Sequence, residues 1–188
     1  MPMLKVLVPP LLWVLAVQAA AAASPGSPNL GKPVGPADIA RWDIDIGRDG
    51  NWLPPGDGTA AQGASVFAEK CSACHGDGGR GTEMLRKGLP SPPALVSEQK
   101  RKGIDGSTTT IANFWPYAPP LFGYIRAAMP WTEPRSLTDH EVYALTAYIL
   151  AENRLIDSRQ VMNAHTLPKV MMPNRNGFLV RFPEITPR

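Results

Sequence analysis

The apolar positions of this 188-residue chain change period several times, and each change marks a segment. Val6 to Val17 is apolar apart from Pro9 and Pro10, follows Lys5 and runs into Ala19 to Ala23. A charged start, a short apolar run and then small residues predict a secretory signal over residues 1–23, cut before Ser24. The run is too short to cross a bilayer comfortably, so no stable membrane span is expected after processing. Residues 24–58 lose all period and gather Gly, Pro and Asp. They predict an extended N-terminal arm with Ile39, Trp42, Ile44, Ile46 and Trp52 as apolar anchors.

Helical spacing begins at Ala60, Gly63, Phe67 and Cys71, which share one face. Thr59 and Gln62 form a capping box at its start. Gly63 disfavours a helix by about 1 kcal/mol against Ala, so its presence there predicts a second helix crossing closely. Residues 76–110 hold the turn clusters GDGGRG, GLPSPP and DGSTTT, with Leu85 and Leu95 between them to reach a core. Pro119 and Pro120 open a short helix carrying Leu121, Ile125 and Met129 on one side, and Pro130 ends it. A second capping box, Thr138 with Glu141, opens a last helix whose packing face is Val142, Leu145, Tyr148 and Ile149. Beyond Arg154 the pattern is irregular, and no repeat is visible. The pattern predicts an all-α domain over 59–157, between the 24–58 arm and a C-terminal extension over 158–188.

Charge excludes one class of partner. The chain has 19 Lys and Arg against 16 Asp and Glu, and removing Lys5 with the signal leaves a formal charge near +2. No Lys/Arg run with interleaved aromatics occurs, so nucleic acid is not an expected partner.

The cysteines carry the chemistry. An exported chain normally pairs its cysteines as disulfides, yet the two here are Cys71 and Cys74, followed at once by His75. CSACH is the attachment pattern for c-type haem. Two thiols spaced by two residues reach two vinyl groups on one porphyrin edge, and the next histidine is carried to the iron. A thioredoxin-like C-x-x-C wants a strand before it and a helix after it, the reverse of the order predicted here. A zinc site wants four ligands, and only His140 and His165 remain as candidates. A disulfide across two residues would leave His75 without a role. Cys71, Cys74 and His75 therefore predict one covalent haem c.

The iron's second axial ligand is usually Met or His, and Met raises the reduction potential. Met129 ends a short helix, is followed by Pro130 and precedes the last helix, the placement expected of a distal ligand. Met171 and Met172 are the alternatives in KVMMPNR, with Met172 the second choice, and a plain core methionine is the bland reading of Met129. Met84 lies too close to His75 along the chain, His140 falls in a first helical turn, and His165 falls in a loop.

Gly63 and Phe67, CSACH at 71–75, Met129-Pro130 and Tyr148 together resemble class I cytochrome c over about residues 59–157. The resemblance implies a helical fold around one covalent haem, in which Gly63 and Phe67 cross Tyr148. It also implies that a carbonyl of Pro93-Ala94-Leu95 orients the His75 imidazole. Four further stretches, ARWDIDIGRDGNWLPPGDGTAAQG, TIANFWPYAPPLFGYIRAAMPW, LTDHEVYALTAYIL and LPKVMMPNRNGF, are similar to the cytochrome subunits of periplasmic sulfite and sulfane dehydrogenases. Those subunits partner a molybdenum-containing subunit. The sulfane-type subunit usually carries two haems, and the single motif here favours the sulfite-type subunit or a stand-alone relative. The resemblance thus implies a periplasmic electron acceptor that performs no bond chemistry. A free shuttle to a terminal oxidase, serving other redox proteins, is the alternative; a haem sensor is a further one and needs an open distal site.

Overall fold

A computed structural model describes residues 30–42, 44–82, 92–97 and 109–179. The predicted signal segment and Met84 lie outside these. The described residues fall into two units, parted between Arg41 and Trp42. Helix α1 (Pro36–Trp42), which ends at that boundary, is capped where Gly35 N–H donates to Asp38 Oδ2, and Leu30, Val34 and Ile39 of the first unit are exposed. A helix here departs from the extended backbone expected of the arm, because the Pro at its first position and the Asp in its first turn both suit a helical start.

The second unit is helical. Its elements are α2 (Ala60–Lys70), α3 (Ser72–His75), α4 (Ile111–Phe114), α5 (Pro119–Ala128) and α6 (Asp139–Glu152). Two short strands, β1 (Asp57–Gly58) and β2 (Met162–Asn163), pair antiparallel, Asp57 with Asn163 and Gly58 with Met162. Both expected capping boxes form: Thr59 Oγ1 accepts from Gln62 N–H, and Thr138 Oγ1 accepts from Glu141 N–H. The Gln62 and Glu141 side chains reach back to the cap backbone.

Helix α2 lies across α6, and the expected close crossing is present. A Cβ added at Gly63 would stand 1.9 Å from the Ala144 carbonyl oxygen. One turn on, the Phe67 and Tyr148 rings meet at 5.1 Å between centroids. Phe122 of α5 packs on Tyr143 of α6 at 4.4 Å. Burying a phenylalanine such as Phe67 or Phe122 stabilises by about 1.5–3 kcal/mol.

Helix α6 is buried well beyond its expected face: Val142 through Ala147, Ile149 and Leu150 are all inside. The extra cover comes from the C-terminal segment, where Met162, Leu167, Val170 and Met172 are buried in the same core. Of the expected anchors in 42–58, Ile46 packs against that core, whereas Trp42 and Trp52 are exposed.

One ion pair fastens α2 to the start of α6. Lys70 Nζ lies 2.6 Å from Glu141 Oε1, both side chains part-exposed. This bond, then the Thr138 backbone, hold the Glu141 carboxyl below its ordinary range. A carboxyl with a depressed folded pKa adds stability above its unfolded pKa, and that stability is lost as pH falls through the folded value. Glu141→Gln keeps the capping geometry and removes the charge. The variant is expected to unfold at lower denaturant than the native chain at neutral pH, and the two curves should converge between about pH 5 and pH 3. A constant gap across that range would show that the charge is not the cause.

Candidate functional site

Cys71 is the hinge of the site, ending α2 and opening α3. Its N–H donates to the Phe67 carbonyl at 2.9 Å, and its own carbonyl accepts from Cys74 and His75 at 3.1 and 2.9 Å. This single turn presents Cys71, Cys74 and His75 in succession. The backbone then curls back through Gly76 (φ 73°), Gly78 and Gly79, and Gly81 N–H donates to the His75 carbonyl at 2.8 Å. A Cβ at Gly76 would lie 2.2 Å from the Gly81 oxygen, so this reversal requires glycine there. Helix precedes the motif and glycine-rich turn follows it, opposite to a thioredoxin motif.

No disulfide joins Cys71, which is part-buried, to Cys74, which is exposed. Burial pushes Cys71 up to about 11, with Cys74 adding to the effect and Lys70 opposing it. A reactive C-x-x-C thiol is shifted the other way. Among the described residues no three His, Cys, Asp or Glu side chains converge as a metal cage. No helix among them is long and apolar enough to cross a membrane.

His75 is half-buried, and its Nδ1 is enclosed without a hydrogen bond. Burial holds the imidazole below its ordinary pKa, and the Pro93 backbone carbonyl acts on it weakly in the opposite sense. A neutral imidazole with an available nitrogen is the form that ligates a metal. Two thiols and this ring, on one helical turn beside an apolar core, are a donor set that fits covalent haem.

Met129 caps the C-terminus of α5, its N–H donating to Ile125 at 3.0 Å, and packs part-buried against the core. Met172 is 3% exposed within the core cluster, and Met171 is 69% exposed. His140 binds the Asp57 backbone through Nδ1 at the surface. His165 is exposed in the turn after β2.

Trp115, Tyr117, Phe122, Tyr124 and Trp131, which lie close to Met129 in the sequence, are dispersed in the fold. Trp115 and Tyr124 meet with tilted rings at 5.9 Å, and Phe122 points into the core against Tyr143. Tyr117 sits beneath Arg175 and Arg48 at 5.1 and 5.9 Å. Trp131 is exposed. Positions 122 and 124 of a helix point about 200° apart, which sequence proximity conceals. Arg126 Nε donates to Asp139 Oδ1 at 2.8 Å. These two residues line a surface depression of about 420 Å³ that none of Cys71, Cys74, His75 or Met129 lines. Asn153, which nothing in the pattern singled out, is a fully buried polar side chain at the end of α6.

With this geometry in place, comparison with known proteins is informative. The family model described as Cytochrome c matches residues 60–152. The thiosulfate dehydrogenase of Stutzerimonas stutzeri (strain A1501) is 27% identical over 108 residues, which is 57% of this chain and 32% of that protein. The chain thus spans about a third of the length of that curated relative. The crystal structure of the sulfane dehydrogenase SoxCD from Paracoccus pantotrophus contains a chain that superimposes with a TM-score of 0.68 at 32% identity, over 81% of this chain and 72% of that one.

Proposed function

This chain belongs to the cytochrome c family, and from that premise we propose that it is the electron-accepting subunit or partner of a periplasmic molybdenum-containing sulfite dehydrogenase. Membership makes it an electron-transfer protein with covalent haem c, related to the cytochromes of sulfur oxidation. The finer assignment rests chiefly on one observation: similarity to a sulfur-compound dehydrogenase structure covers 81% of the chain, more than the 59–157 domain alone. The single attachment motif then favours a one-haem, sulfite-type role.

In this reading Cys71 and Cys74 hold the haem, and His75 and Met129 ligate its iron. The haem supplies a site that takes and gives one electron at a time. The chain's own residues supply fixation, burial and orientation. Cys71 joins the attachment turn to α2, the Gly76–Gly81 reversal holds the His75 backbone, and the α2–α6 crossing keeps both on a rigid core.

The test mixes oxidised protein with candidate molybdenum subunits and sulfite and follows the haem spectrum. Reduction is expected only when all three are present. Absence of reduction with every candidate would sink the sulfite dehydrogenase assignment and leave the cytochrome intact. A chain that instead reduces a terminal oxidase alone, with salt-sensitive turnover, is a free shuttle.

A further inference from the structure

The surface depression at the start of α6 has a lining of two kinds. Ile44, Ala127 and Leu137 are apolar, and Arg126, Arg135 and Asp139 are charged. Its volume of about 420 Å³ falls within the roughly 300–1,000 Å³ typical of small-molecule sites. Four stretches of chain meet there: the segment at Ile44, the last turns of α5, the turn at Arg135 and the first residue of α6. None of the candidate haem donors lines it, so the haem leaves it unexplained.

Its cations are incompletely used. Arg126 spends Nε on Asp139, and its terminal nitrogens carry no further hydrogen bond among the described residues. Arg135 pairs with no carboxylate among them. Two guanidinium groups and one carboxylate leave the lining with a net charge of +1. The backbone at Arg135 is left-handed (φ 66°), within a turn that Ser136 N–H closes by donating to the Glu133 carbonyl at 3.3 Å. A residue with a Cβ is disfavoured there, and glycine would fit more readily. Arginine at a position that suits glycine points to a use for its side chain.

We propose that this depression binds a small organic monoanion, a carboxylate on a short aliphatic body, with its head on Arg126 and Arg135 and its body on Ile44, Ala127 and Leu137. A guanidinium takes the two oxygens of a carboxylate together, through parallel N–H donors. The charge count selects a monoanion. One negative charge neutralises the lining, whereas the second charge of a sulfate or phosphate would lie unopposed near Asp139. The apolar residues select an organic ion, since an inorganic one would leave them in contact with water. The site is independent of which enzyme the cytochrome serves.

The test titrates hexanoate, acetate, sulfate and hexylammonium into the oxidised full-length haem protein by calorimetry. Hexanoate is expected to bind with a Kd on the order of 1 mM. Acetate should bind at least about tenfold more weakly, because each buried methylene is worth up to about fourfold. Sulfate and hexylammonium should show no saturation. The haem spectrum should stay unchanged; a shift would put hexanoate on the iron and overturn the proposal. In Arg135→Gly hexanoate should bind at least about tenfold more weakly, while the denaturation midpoint does not fall, since glycine accepts the left-handed backbone. Arg159→Gln removes an equal charge from a side chain that is 90% exposed beside Asp157, and should bind hexanoate as the native protein does. Unaltered affinity in Arg135→Gly, equal losses in both variants, or sulfate binding as tightly as hexanoate would each overturn the proposal. Should Arg135→Gly not assemble, Arg135→Asn, which also tolerates the left-handed region, decides by the same titration.

Discussion

Gly63→Ala is expected to unfold at markedly lower denaturant than the native chain, although alanine is the better helix former. The new methyl would stand 1.9 Å from the Ala144 oxygen, 2.5 Å from its carbonyl carbon and 2.7 Å from Tyr148 Cβ. Two of these atoms are backbone of α6 and cannot rotate aside. The helices must separate, and separation also strains the Phe67–Tyr148 contact. Overpacking usually destabilises by about 1–3 kcal/mol, and a backbone obstacle places this case at or above the upper end. Helix propensity returns about 1 kcal/mol. The net loss, about 2 kcal/mol or more, is large against a total stability of about 5–15 kcal/mol. Ala61→Gly, at an exposed site on the same helix, should lose about 1 kcal/mol from propensity alone. Guanidinium titration followed by helical circular dichroism measures both. A Gly63→Ala protein as stable as the native one would mean the two helices do not cross there.

Met129→Ala is expected to erase the weak long-wavelength band of iron–thioether charge transfer and to lower the reduction potential. Thioether ligation raises that potential, and axial ligands command a span of about 0.8 V, so the fall should be on the order of 0.2 V. Met172→Ala should do the opposite of this pattern. Its side chain fills the core at 3% exposure, so truncation should remove about 2–5 kcal/mol of stability and leave the band in place. Survival of the band in Met129→Ala with its loss in Met172→Ala would exchange the two roles. Carbon monoxide binding to the reduced native protein would reopen the sensor reading.

What could be read from the sequence was local or covalent. The Thr59–Gln62 and Thr138–Glu141 boxes each span one turn, so spacing alone announces them. CSACH is a covalent pattern that needs no fold to be recognised, and Gly63 was informative because it breaks a local preference. The rest depends on residues far apart in the chain. The burial of α6 on nearly every side comes from Met162, Leu167, Val170 and Met172, which lie in a segment without periodicity. The pairing of Asp57–Gly58 with Met162–Asn163 closes a loop of about a hundred residues that no short window can see. Asn153 looked like any polar residue at a helix end, and its grip on residues 95–97 exists only once the chain has folded.

Ala144 meets two glycines at once, since a Cβ at Gly58 would lie 2.2 Å from its nitrogen just as one at Gly63 would strike its oxygen. The obstacle in both cases is main chain rather than side chain. Core positions can usually trade volume, one shrinking as its neighbour grows. Here no smaller residue at position 144 would make room, because every amino acid carries the same nitrogen and carbonyl. Positions 58 and 63 are thus closed to compensation. A lineage that leaves glycine at either must change the path of the helix itself, so drift here should appear as fixity and never as paired exchange.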